Sequence, residues 1–351
     1  MITIIDKLIK QRRLEDEEYK QLLLYMNETD KEYLFSKAKE VAQETFGNKV
    51  YIRGLIEFSN YCKNDCYYCG IRLSNKNVER YRLTKEDILF CCKQGYQLGF
   101  RTFVLQSGED NSYTQKDMCD IIKSIRNEYP DCAITLSMGE KDYDTYKAFY
   151  EAGANRYLLR HETINSKHYQ SLHPKGMNIE NRVACLKHLK EIGFQTGSGI
   201  MVGSPNQTVD NIIEDIKFLE ELKPEMIGIG PYLPHVDTPF RDKEKGSLER
   251  TLIILAILRL MHPKALIPST TALSTIAPNG REKGILVGAN AVMPNLSPIT
   301  NRTKYQLYND KACMDEETAE SLSLLDQRLH KMGYQISYER GDFTSGGKSD
   351  V

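Results

Sequence analysis

A (β/α)8 TIM barrel, in the α/β class, is the fold this chain of 351 residues predicts, on three observations. From residue 50 onward, short apolar runs recur at 50–58, 102–105, 133–136, 156–159, 197–202, 226–229, 265–267 and 289–293. Polar loops and amphipathic helical periods separate them, which is the rhythm of a parallel sheet with crossover helices. Eight such strands are the number that closes a barrel. The alternative is an open doubly wound sheet with fewer strands, because the stretch 273–287 between the last two runs is short and glycine-rich.

Residues 1–48 precede this rhythm and space Ile5, Leu8, Ile9, Tyr19, Leu22, Leu23, Leu34, Ala38 and Val41 as helices do, with a break at 27–30. They predict an N-terminal helical extension packed on the barrel, which spans 49–310. Inside the barrel, Thr84, Asn178 and Thr208 each stand ahead of an apolar period as helix caps. Residues 311–351 predict a C-terminal helix over 317–330 and a polar Gly/Ser-rich tail expected to fray.

Net charge is −1, from 47 basic and 48 acidic residues well mixed, so nucleic acid is not an expected partner. No stretch approaches the roughly 20 apolar residues that span a bilayer, and MITIIDKLIKQRR lacks the apolar core of a secretion signal. Nine cysteines, an odd number, in a long chain argue against a disulfide framework. The expected place is the cytoplasm, with no membrane attachment.

The chemistry concentrates in YCKNDCYYCG at 61–70, which puts Cys62, Cys66 and Cys69 on one polar loop directly after the first run. Three cysteines can be buried hydrophobes or can bind zinc with a distant histidine. A closed zinc site or a simple ferredoxin centre takes four ligands, and the next cysteine is Cys91. Three thiolates on a small metal cluster leave one metal corner open for another molecule. In a barrel this loop lies on the catalytic face, at the C-terminal ends of the strands. So do the segments 107–110, 160–163, 203–208, 231–239, 269–271 and 294–308. His161 should alternate away from its charged neighbours, and His235 reads as a turn residue. Cys91, Cys92, Cys119, Cys132 and Cys185 read as inert.

The C-x3-C-x2-C spacing, with Tyr68 before the third cysteine, resembles the signature of the radical S-adenosylmethionine enzymes. That resemblance implies one 4Fe-4S cluster on Cys62, Cys66 and Cys69, with S-adenosylmethionine on its open iron. It further implies reductive cleavage of that cofactor to a 5′-deoxyadenosyl radical, with an electron from ferredoxin or flavodoxin. Ser107, Gly108 and Glu109 resemble the segment that meets the methionine amino group. Gly203 belongs to a glycine-rich segment flanking the adenine, where Gln207 replaces the usual glutamate. Arg160, Glu162 and Arg182 would meet the carboxylate and the ribose or amino group, or else form a structural ion-pair network. Tyr68 and Met226 complete the expected cofactor set, and no catalytic side chain is expected beyond cluster and cofactor.

Within the family, LQSGED (105–110), RYLLRHET (156–163), IGIGPYLPH (227–235), PSTTAL (268–273) and GANAVMPNLSP (288–298) resemble the HydE maturases of FeFe-hydrogenase. This implies a small sulfur-containing, iron-cysteine substrate, delivered and passed on among partner maturases during assembly of the hydrogenase cluster. Its expected contacts are Gln106, Thr135, Ser137, Thr270, Thr271, Tyr305 and Tyr308. Methylornithine synthase and biotin synthase are related alternatives, and an iron–sulfur electron carrier is the non-enzymatic one. Some HydE relatives carry a second cluster near the C-terminus; Cys313 alone stands there, so that cluster is expected to be absent.

Overall fold

A computed structural model describes residues 1–312 and 318–344. Nine strands are present among them: β1 (Lys49–Ile52), β2 (Gly54–Ser59), β3 (Thr102–Ser107), β4 (Ala133–Ser137), β5 (Arg156–Leu158), β6 (Gln195–Val202), β7 (Met226–Pro231), β8 (Ala291–Val292) and β9 (Gln335–Ser337). Strands β2 to β7 pair in chain order into one parallel sheet. Backbone bonds complete the ring. Ile227 N–H donates to Leu266 O, Asn290 N–H to Ile267 O, and Tyr51 and Arg53 N–H to Asn290 and Val292 O. The seventh run therefore takes its place through isolated bridges, Met226 with Leu266 and Pro268 with Ala291. The eighth shrinks to β8, and the closed barrel replaces the open-sheet alternative.

The first run is not one strand. It splits at Arg53: β2 pairs with β3, whereas β1 lies between β8 and β9. Cross-strand register then sets layers along the barrel interior. Leu55, Val104, Thr135 and Arg156 stand level, and Glu57, Gln106 and Ser137 stand level above them. Because side chains alternate with period two, residues of one parity share the inner face.

The expected caps form. Thr84, Asn178 and Thr208 accept from backbone N–H groups of helices Lys85–Gln97, Ile179–Ile192 and Val209–Leu222, and Thr114 does the same for Gln115–Glu128. Helix Leu248–Met261 is apolar on all sides and buried on all sides. Helices Ile2–Gln11, Asp16–Leu24 and Glu28–Phe46 supply the cover on its outer side, in one apolar cluster with it. This is the arrangement an all-apolar helix requires. No helix among the described residues is long and apolar enough to cross a membrane.

Past the C-terminal helix the chain is ordered as far as residue 344; the Gly/Ser-rich end expected to fray, 345–351, lies outside the described residues. After helix Thr318–Lys331, β9 pairs with β1, and residues 338–344 run across the N-terminal mouth of the barrel. Arg156 explains why. Its guanidinium is fully buried and donates to Thr102 Oγ1, Gln195 Oε1, Arg340 O, Gly341 O and Asp342 Oδ1. A buried charge needs such acceptors, and the tail brings three of them.

Candidate active site

The cysteine loop is built from its flanks. Asn60 is buried and donates to Glu79 O and Lys304 O while accepting from Tyr81 N–H. Arg80 donates to the carbonyls of Asn60, Ile71, Arg72 and Asn75. The charged approach to the next helix thus clamps the cysteine loop, a role that charge alternation does not reveal. Asp65 takes a bidentate pair from Arg72 and two bonds from Ser74, and Arg72 holds its carboxyl down to about 2. At Gly70 a methyl would stand 2.2 Å from Gln306 O and 2.4 Å from the His235 ring, so glycine is required there.

Cys62, Cys66 and Cys69 are half-buried and line one cavity of about 340 Å³. Burial, then the neighbouring Cys62, pushes the Cys69 thiol up to about 12; burial and the other two thiols push Cys66 well above its ordinary value. As thiolates, three sulfurs lining one buried wall would require positive charge beside them, which iron would supply. Among the described residues no three His, Cys, Asp or Glu side chains close on a single ion, as a zinc site would need. A cluster with one thiolate per iron does not ask for that. The soft three-donor set, facing a cavity with polar walls, fits the cluster.

The wall beside the thiols comes from β3 to β6. At Gly108 a methyl would stand 2.2 Å from Tyr61 O and 2.7 Å from Cys62 Cβ, so only glycine lets 107–110 lie on the cysteine loop. Glu109 N–H points at Cys62 Sγ (3.4 Å), and its carboxylate accepts from Glu140 N–H, with Lys63 Nζ at 3.3 Å. Arg160 donates to Glu162 Oε2 (2.9 Å) and to Ile200 O. Arg182 donates to Glu140 Oε1 (2.6 Å) and Arg160 O (2.8 Å). Burial opposes its charge, but Tyr169, Glu140 and Glu109 outweigh burial and raise its pKa. Arg182 therefore already has a carboxylate partner, Glu140, which sequence reasoning missed. Tyr68 lines the cavity, with its hydroxyl 3.2 Å from His173 Nε2.

Away from the thiols the cavity is lined by Gln106, Ser137, Thr270, Thr271, Tyr305 and Tyr308. Two further residues belong to it. Glu57, buried on β2, accepts from Lys311 Nζ (2.5 Å) and Asn295 Nδ2 (2.8 Å), and Lys311 also donates to Tyr305 O. One acid inside an apolar strand, level with Gln106 and Ser137, was the available signal for Glu57.

Three expected residues stand elsewhere. Thr135 shares parity with Ser137 but lies one layer lower, outside the lining, with its hydroxyl unpartnered. Met226 opens β7 at the opposite end of the barrel and accepts from Arg53 Nη1; Met201 is the methionine that lines the cavity. Gly203 lies outside the lining as well. A methyl on it would stand 2.6 Å from Gly246 Cα, and Gln207 folds back to accept from Gly203 N–H and donate to Met201 O. His235 is the turn residue expected, accepting from Asp237 N–H. Cys313 lies outside the described residues.

With this geometry in hand, the comparisons with known proteins are specific. Residues 56–219 match the model of the radical SAM superfamily. The chain is 42% identical, over 94% of both lengths, to the FeFe hydrogenase maturase subunit HydE of Thermotoga maritima. It is 31% identical to the 3-methylornithine synthase of Methanosarcina acetivorans, covering 94% of this chain and 92% of that one. The crystal structure of a methylornithine synthase superposes with a TM-score of 0.82 at 30% identity, covering 95% of this chain and 97% of that one. A 42% identity sustained from end to end places the cysteine loop and barrel in one lineage: the chain belongs to the radical SAM superfamily.

Proposed function

We propose that this enzyme is a HydE-like maturase of FeFe-hydrogenase, acting on a small sulfur-containing iron-cysteine substrate in the cytoplasm. The observation that carries the reading is one cavity lined at once by the three thiols, by Glu109, Arg160, Glu162 and Arg182, and by the Glu57–Lys311 pair. Cys62, Cys66 and Cys69 would hold a single 4Fe-4S cluster, which when bound supplies the electron that cleaves S-adenosylmethionine. Gly108 leaves the room, and Glu109 and Glu162 supply acceptors for the ammonium and ribose hydroxyls of that cofactor. Arg160 offers its guanidinium to the carboxylate, while Arg182 acts mainly by holding Arg160 O and Glu140. Tyr305, Gln106, Thr270 and Thr271 would orient the substrate, and the walls would exclude water from the reacting atoms. A low-potential ferredoxin or flavodoxin and other maturases are the partners this reading implies.

Anaerobic reconstitution with iron and sulfide, followed by dithionite and S-adenosylmethionine, should yield 5′-deoxyadenosine. Cys66→Ala should lose both the cluster absorbance and the product; full turnover in that variant would refute the three-thiol site. The similarity to methylornithine synthase in sequence and shape supports a second reading. Incubation with lysine separates the two: methylornithine among the products would favour the isomerase and remove the maturase reading.

A further inference from the structure

Glu162 is not a glycine, yet its φ is +63°. Thr163 N–H donates to His161 O (2.8 Å) across it, which makes Glu162 the centre of a γ-turn of the rare left-handed kind. Backbone held this way persists only where the surroundings enforce it, and it gathers at functional sites.

Both flanks of the turn are enforced. His161 and Thr163 are fully buried. His161 Nδ1 lies 2.9 Å from Ser198 Oγ, and that hydroxyl donates to Leu159 O at 3.1 Å. Ser198 Oγ thereby ties the ring of His161 to the Leu159 backbone. The ring's Nε2 faces Asp215 Oδ1 at 3.4 Å, and Asp215 is wholly buried on helix Val209–Leu222. Nε2 makes no hydrogen bond there, so Asp215 meets the ring by close packing. The same Asp215 oxygen accepts from Ile164 N–H (2.5 Å), just past the turn. On the other flank Thr163 Oγ1 lies 3.1 Å from His168 Nδ1, and His168 Nε2 lies 3.2 Å from Pro205 O.

We infer that Asp215 is a positioning residue for cofactor binding: through His161 and Ile164 N–H it holds Glu162 in the left-handed turn, carboxylate towards the cavity and Arg160. The inference rests on the reading that Glu162 meets S-adenosylmethionine. Relaxed to an ordinary extended backbone, residue 162 would point its side chain elsewhere and break its 2.9 Å pair with Arg160. Asp215 itself does not line the cavity, so any effect it has on the cofactor passes through the turn.

A double-mutant cycle tests this. Cluster-loaded wild type, Asp215→Asn, Glu162→Gln and the double variant are titrated anaerobically with S-adenosylmethionine in a calorimeter, with iron content matched. Asp215→Asn should weaken binding at least tenfold in the wild-type background and by less than twofold when Glu162→Gln is already present. An equal loss in both backgrounds would make Asp215 a fold residue only and overturn the inference. If Glu162→Gln alone binds as wild type does, the role of Glu162 falls first, and the inference with it. Should Asp215→Asn not fold, His161→Gln removes the ring through which Asp215 reaches the turn and is put through the same cycle. Non-additivity with Glu162→Gln is again expected, and additivity again overturns the inference.

Discussion

Gly139 shows how narrowly single atoms define the wall beside the thiols. Its φ is +73°, and a methyl there would stand 2.0 Å from Glu109 Cγ. Gly139→Ala should therefore push the Glu109 carboxylate off Glu140 N–H and weaken S-adenosylmethionine binding more than tenfold, measured by calorimetry at unchanged iron content. Glu57 carries a different cost. It and Lys311 are both almost wholly shielded from solvent, so Glu57→Leu leaves a buried ammonium without its counter-charge. Breaking such a pair costs about 3–5 kcal/mol, to be read from denaturant unfolding. Glu57→Leu combined with Lys311→Met should recover most of that. The thiols stood out by their spacing alone, whereas the 107–110 and 160–163 segments stood out only through the family resemblance. Glu57 was passed over because its one signal, an acid in GLIEFS, leaves the run readable as a strand, and its partner Lys311 lies far away in sequence. Met226 opens β7 and so lies at the far end of the barrel from the cavity, which its place in an apolar run did not reveal.

Helices and strands were legible where local chemistry decides them. Thr84, Asn178 and Thr208 satisfy orphan N–H groups three residues on, and each was readable as a start. The break at Arg53 was not, since it depends on β9 arriving from almost three hundred residues away to pair with β1. The cover over helix Leu248–Met261 has a consequence in acid. Burial, with Arg259 and Lys223 nearby, lowers His262 at the end of that helix to about 4, and burial lowers His173 to about 4 as well. The unfolded chain takes up these protons near its ordinary value of 6.5. It therefore binds more protons than the folded chain between those limits, and stability should be full above pH 6.5 and fall as pH drops towards 4. Melting temperature against pH should show this fall, and His262→Gln should make it shallower.

Across the whole molecule, the two mouths of the barrel are closed by unlike means. The C-terminal mouth carries the cysteine loop and the cavity, whereas the N-terminal mouth is sealed by residues 338–344 over Arg156. Ending the chain at Tyr334 should strip Arg156 of three acceptors and β1 of a neighbour, lowering the melting temperature by many degrees and broadening the transition. An unchanged melt would mean that the seal contributes nothing. The seal also comes after every barrel strand in chain order. A growing polypeptide can therefore lay down all eight staves and still carry a guanidinium facing oil. That charge is answered only once residues 340–342 have been made and have emerged, so birth of the native state waits on them.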